Sequence, residues 1–191
     1  MSYRKSLGFA AAIVIVVGAG IISHEFAQRS SYRFEKVSIP GVPNAGRISA
    51  HLYRGGQPTG PGFAALRALG VDTIVSFTLE GAGADAEASL VRALGMQYVH
   101  LPWSAYTLPD DNDVARFLQL TRSQRSRVVF VHCKAGSDRT GLMIASYRVL
   151  SDGWTPDQAL DEMNAFGYEF VFHPQLRSFV LTHLAERAAA R

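Results

Sequence analysis

Residues 127–141 read RVVFVHCKAGSDRTG, and this stretch decides the architecture. Its first half, RVVFVHC, is a run of β-branched and apolar residues without a polar alternation, the pattern of a strand buried on both faces of a parallel sheet. Its last residues lead into Thr140–Leu150, apolar nearly all round, which predicts a helix buried at the centre of the molecule. Open α/β sheets bind ligands where a strand ends and a helix begins. A short loop at that point aims successive backbone N–H groups at one spot and adds the positive end of the helix dipole, which makes an anion cradle of phosphate size. The same field favours the thiolate form of a cysteine at its centre, so Cys133 is a candidate nucleophile. Arg139, six residues later, offers a planar fork to two oxygens. Thiolate, amide cradle and guanidinium together specify a phosphoryl-transfer site.

Working outward, the neighbouring segments alternate strand and helix signals. HLYRGG (51–56) reads as a short strand ending in a turn. Thr59 caps a helix that runs to Leu69 and stops at Gly70. VDTIVSFT (71–78) is a second buried strand, Asp85–Leu94 a helix closed by Gly95, and MQYVHLPW (96–103) a third strand. A helix is expected over about Pro109–Thr121. Thr155-Pro156-Asp157-Gln158 is a capping box with proline at the first helical position. A last helix starts near Pro174. The fold class is therefore α/β, with a mostly parallel central sheet of about four or five strands flanked by helices.

The 191 residues allow one ordinary domain, and a chain that is 48% hydrophobic and 18% charged is not disordered. A single cysteine excludes a disulfide framework and a multi-cysteine metal site. The formal charge of +3 is small and scattered, so nucleic acid is not the expected partner. The N-terminus stands apart: Arg4 and Lys5 precede LGFAAAIVIVVGAGII (7–22), an apolar run between a signal-peptide core and a full span of about 20 residues. Residues 1–29 are read as a signal anchor helix or a cleaved signal peptide, 30–50 as a linker rich in Pro and Gly, and 51–191 as the catalytic domain. The basic flank places the catalytic part on the periplasmic or extracytoplasmic side of a membrane, anchored there, or secreted if the segment is cleaved.

HCKAGSDRTG (132–141) resembles the phosphate-binding loop of the cysteine-dependent protein tyrosine and dual-specificity phosphatase superfamily. LYRGGQP (52–58) is similar to the first strand and turn of its small bacterial and fungal members, and GWTPDQALDEM (153–163) to the helices after the loop. The resemblance covers about residues 50–185. It implies a dual-specificity phosphatase-like fold, a phosphocysteine intermediate on Cys133, and phosphate held by Arg139 and by the loop Lys134, Ala135, Gly136, Ser137 and Asp138. It implies no metal and no cofactor. Thr140 would donate to the thiolate, and His132 would orient the loop from behind. The implied activity is hydrolysis of phosphotyrosine, phosphoserine or phosphothreonine on proteins. Two alternatives stand beside it: a membrane-associated phosphatase of phosphoinositides or phosphatidylglycerophosphate, and a weakly catalytic module that binds phosphorylated partners.

The family also implies a general acid, normally an Asp after the preceding strand. Here Trp103 and Ser104 hold that place. YTLPDDND (106–113) carries the nearest carboxylates. Of these Asp111 is favoured as catalytic acid, because Asp110 suits a cap and Asp113 lies deeper in the helix. Asp138 is its rival, with loop stiffening as the other reading. Arg54 and Gln57 are read as candidates for the site rim, FGYEFVF (166–172) as packing, and His173 as an exposed helix start.

Overall fold

The computed structural model describes residues 34–122 and 127–190. The expected anchor, residues 1–29, lies outside the described residues. Six strands form one sheet: β1 (Glu35–Lys36), β2 (Gly46–Arg47), β3 (Leu52–Gly56), β4 (Val71–Ser76), β5 (Gln97–His100) and β6 (Val128–Cys133). Their spatial order is β1-β2-β3-β6-β4-β5. β3, β6, β4 and β5 are parallel, whereas β1 and β2 pair antiparallel at one edge. The expected count of four or five strands is thus corrected to six among the described residues. Glu35 pairs with Arg47 and Lys36 with Gly46, so the turn-rich stretch between them folds back as a ribbon that extends the sheet.

The helices are α1 (Gly60–Ala68), α2 (Ala82–Ala93), α3 (Asp111–Arg122), α4 (Asp138–Tyr147), α5 (Pro156–Ala165), α6 (Pro174–Ser178) and α7 (Ala185–Ala189). Wider π turns continue α4 over Arg148–Asp152 and join α6 to α7 over Phe179–Leu184. Local chemistry sets several starts. Thr59 Oγ1 accepts from Gly62 N–H at 3.2 Å to cap α1. At α5 Thr155 and Gln158 exchange both bonds of the capping box.

β6 sits inside the sheet and displays the two-residue period of a strand covered on both faces. Val129, Val131 and Cys133 face a core shared with Val114, Phe117, Leu142, Met163 and Val180. Phe130 faces the other way, against Phe63, Leu66 and Val91 of α1 and α2. Phe130 is fully buried. Burial of such a side chain contributes about 1.5–3 kcal/mol. The C-terminal end of β6, and with it Cys133, is thereby fixed between β3 and β4.

Candidate active site

The loop after β6 is shaped by its carbonyls. Gln57 N–H donates to Lys134 O at 3.1 Å. Asn44 Nδ2 donates to Ala135 O at 3.3 Å, and Arg54 Nη2 donates to Gly136 O at 2.7 Å. Among the described residues every peptide is trans. A trans peptide points its N–H opposite to its C=O. Three successive carbonyls gripped from outside therefore turn the amides of Ala135, Gly136 and Ser137 inward. The middle one shows its target: Gly136 N–H donates to Cys133 Sγ at 3.2 Å. Gly136 adopts φ +77, and a Cβ there would lie 2.4 Å from the backbone of Gly55 and Gly56, so only glycine lets the loop close on β3.

The predicted loop residues are brought together, with distinct environments. Cys133 is buried, and Lys134 and Ala135 are exposed. Arg139 Nη1 donates to Phe77 O at 2.7 Å and to Trp103 O at 3.3 Å, which anchors the guanidinium across the ends of β4 and the chain after β5. Asp138 has both oxygens engaged: Oδ2 accepts from the Ser137 hydroxyl at 2.9 Å and Oδ1 from Glu169 N–H at 3.0 Å. Its side chain braces the loop. Thr140 is buried at the start of α4, and its Oγ1 makes no hydrogen bond among the described residues, so the bond to Sγ implied by the resemblance is not formed here.

Behind the loop, His132 Nδ1 contacts Cys133 O at 3.2 Å and its Nε2 lies 3.0 Å from Glu87 Oε1, an ion-pair contact off the hydrogen-bonding line. Glu87 Oε2 accepts from Gln57 Nε2 at 2.8 Å. Burial alone would push the Glu87 carboxyl up, but His132, Gln57 and Tyr98 outweigh it and hold the group below the usual carboxylate range. Glu87 was not foreseen. Its signal was a carboxylate placed in the apolar stripe of α2 beside Ala84, Ala88 and Val91.

Gln57 lies at the rim, lining the cavity beside Lys134 and Arg139, whereas Arg54 does not. Arg54 is fully buried under the loop, 4.0 Å from the centroid of Phe166. Burial pulls its pKa down to about 10, against the opposing influence of Glu162 and Cys133, so it stays charged at neutral pH. Gln57 reaches from the loop to Glu87 beneath it.

Asp111 has a different place from the one expected. Asp110 Oδ1 caps α3 by accepting from Asp113 N–H at 2.7 Å. Asp111, the next residue, pairs with His183 Nε2 at 2.8 Å and Arg187 Nη1 at 2.5 Å. The hydrogen bond from His183, with Arg187 beside it, holds this carboxyl below its ordinary value. It lines a cavity of about 500 Å³ with Pro109, Gln175, Phe179 and His183, whose walls include none of residues 133–139. The structure thus sets Asp111 against the C-terminal helix rather than beside residues 133–139, where a general acid is needed.

The loop borders a separate cavity of about 280 Å³ lined by Gln57, Thr78, Leu79, Glu80, Lys134 and Arg139. The FGYEFVF stretch divides: Phe166 and Tyr168 are buried, whereas Phe170, Val171 and Phe172 are exposed. His173 is buried rather than exposed, with its carbonyl accepting from Tyr168 Oη at 2.6 Å. Among the described residues no group of three His, Cys, Asp or Glu side chains is placed to hold a metal.

Comparison with known proteins places this geometry. The family model described as DSP-PTPase phosphatase fused to NAD+ kinase matches residues 40–174. The dual specificity protein phosphatase TpbA of Pseudomonas aeruginosa is 33% identical over 153 residues, covering 80% of this chain and 67% of that protein. The crystal structure of P. aeruginosa TpbA is similar with a TM-score of 0.68 and 30% identity over 84% of this chain and 99% of that one. A second TpbA structure, in complex with pTyr, has a TM-score of 0.68 and 28% identity over 83% of this chain and 98% of its own.

Proposed function

The chain belongs to the dual-specificity branch of the cysteine-dependent protein tyrosine phosphatases, and we propose that it hydrolyses phosphotyrosine and related phosphate monoesters through Cys133. It is a dual-specificity protein phosphatase; the roles of its residues are our reading. The Cys133 thiolate attacks phosphorus, forming the S–P bond as the ester P–O bond breaks, and the departing alkoxide takes its proton from solvent water. Water then attacks the phosphocysteine, releasing inorganic phosphate and restoring the thiolate. The inward amides of 135–137 and the second edge of the Arg139 fork meet the oxygens on which charge develops. The observation that carries this reading is the bond from Gly136 N–H to Cys133 Sγ: a donor already aimed at the sulfur marks where an anion will sit. The pTyr-bound relative supports phosphotyrosine as a substrate.

Cys133→Ser should abolish turnover of p-nitrophenyl phosphate and of a phosphotyrosine peptide while phosphate binding persists, because the amides remain. Arg139→Lys should cost about 10²-fold or more, since a point charge does not replace a bidentate fork. Activity retained in Cys133→Ser would end the covalent reading.

We further place this catalytic domain behind a membrane anchor, on the extracytoplasmic side. The support is the sequence of residues 4–22, a basic flank and an apolar run. Among the described residues no helix is long and apolar enough to cross a membrane. The full chain should therefore sediment with membranes and a version lacking residues 1–33 should not; equal partitioning of the two would remove the anchor.

A further inference from the structure

A guanidinium with no exposed surface needs a reason to be where it is. Arg54 lies on β3, directly beneath the loop, and is 0% exposed. Its one hydrogen bond among the described residues is Nη2 to Gly136 O at 2.7 Å, and its Nε and Nη1 make none. Glu162, the carboxylate whose charge it feels most, is taken by Arg148, which donates to both of its oxygens at 3.0 and 3.2 Å. The face of Arg54 is covered by Phe166. A buried cation with one hydrogen bond and no carboxylate of its own is a poor device for stability, because desolvation exceeds what a single bond returns.

We propose that Arg54 is a positioning residue of the phosphate site, which by holding Gly136 O from beneath keeps the Ser137 N–H aimed into the cradle. This rests on the reading of residues 133–139 as that site. The Gly136–Ser137 peptide is trans, so fixing its oxygen on the Arg54 side fixes its N–H on the opposite side. A charged donor on the carbonyl also polarises the peptide and strengthens its N–H as a donor to an anion. The Ser137 hydroxyl is spent on Asp138, so the backbone amide is the group this residue can offer to phosphate. Arg54 makes no hydrogen bond to Cys133, although the two charges feel each other, and it acts on the loop through one peptide unit.

Arg54→Met keeps the volume and removes both charge and donors. Orthovanadate inhibition of p-nitrophenyl phosphate hydrolysis should weaken by about ten- to a hundredfold, the span of a lost hydrogen bond to a charged group. The melting temperature should stay level or rise, since an unpaired buried cation has gone. That opposition of signs separates positioning from scaffolding. Vanadate affinity within about twofold of wild type, or a loss that comes with a fallen melting temperature, overturns the proposal. Where Arg54→Met does not fold, Arg54→Lys is read instead: a loss of about threefold or more at an unchanged melting temperature is expected, and affinity within about twofold overturns it. Wild-type protein that neither binds vanadate nor turns over the ester would overturn the reading of the loop itself, whereas normal wild-type binding with an unaltered Arg54→Met removes the role of Arg54 alone.

Discussion

Asp138 and Glu169, 31 positions apart, are joined by a 3.0 Å hydrogen bond from the Glu169 amide to Asp138 Oδ1. The bond ties the start of α4 to the turn that carries the exposed Phe170, Val171 and Phe172. With its partner bond from Ser137, the carboxylate makes two contacts worth about 1 kcal/mol each. Asp138→Ala should therefore destabilise the protein by about 2 kcal/mol and speed amide exchange from Glu169 to Phe172. Asp138→Asn, which keeps one acceptor, should fall between. Unchanged exchange in the alanine variant would show that the turn is held by other means.

Asp111→Asn separates an acid catalyst from a surface ion pair. A true proton donor contributes about 10²–10⁴-fold on an alkyl phosphate and much less on a good leaving group. Asp111 instead serves His183 and Arg187 on the C-terminal helix, so both substrates should keep rates within about twofold of wild type. A selective collapse on the alkyl ester would restore Asp111 as the acid.

The buried Glu87 links pH to folding. Its carboxyl is held below the ordinary value by His132, Gln57 and Tyr98 against the upward pull of burial. A carboxyl whose folded pKa is depressed adds stability above its unfolded value, near 4.5, and loses it as pH falls through the folded one. Wild-type melting temperature should thus drop on acidification below about pH 4.5, and Glu87→Gln should flatten that part of the curve. Parallel acid profiles for the two proteins would show that the contact with His132 adds nothing.

Removing Glu162 leaves Arg148 buried without its bidentate partner and strips Arg54 of the opposing charge it feels most. Breaking such a buried pair costs about 3–5 kcal/mol. Glu162→Ala should show that loss in denaturant unfolding, and Glu162→Gln, which retains a hydrogen-bond acceptor, less of it. A cost below about 1 kcal/mol for the alanine variant would mean that Asp152, 2.7 Å from Arg148 Nη1, holds the guanidinium without Glu162.

The sequence was most informative where structure is local. Strand β6, its loop and α4 follow from an apolar run, a glycine and a second apolar run, and the α5 capping box follows from four consecutive residues. Asn44, Arg54 and Glu87 were illegible for the opposite reason: each acts on a segment 45 or more positions away, across strand pairings that no local period encodes. The edge ribbon was hidden because each of its strands is two residues long, too short for alternation to register. Position along the chain says how near Asp111 is to the loop in sequence, and nothing about the His183 and Arg187 that meet it from another helix. The phenylalanines near 170 looked like core because hydrophobicity does not reveal which members of a turn point outward.

Three carbonyls clasped from outside mean that the loop of 134–136 owes its shape to bonds within the protein rather than to what it would bind. Little ordering remains to be done on capture, so the loop is indifferent to what the phosphoryl group is attached to. Discrimination among substrates then falls to the walls around it, the Leu79–Glu80 lip beside Lys134 and the aromatic turn tethered by Asp138. Exchanging those walls should retarget the enzyme while leaving its chemistry intact, a division of labour that lets substrate preference drift without reopening the reaction centre.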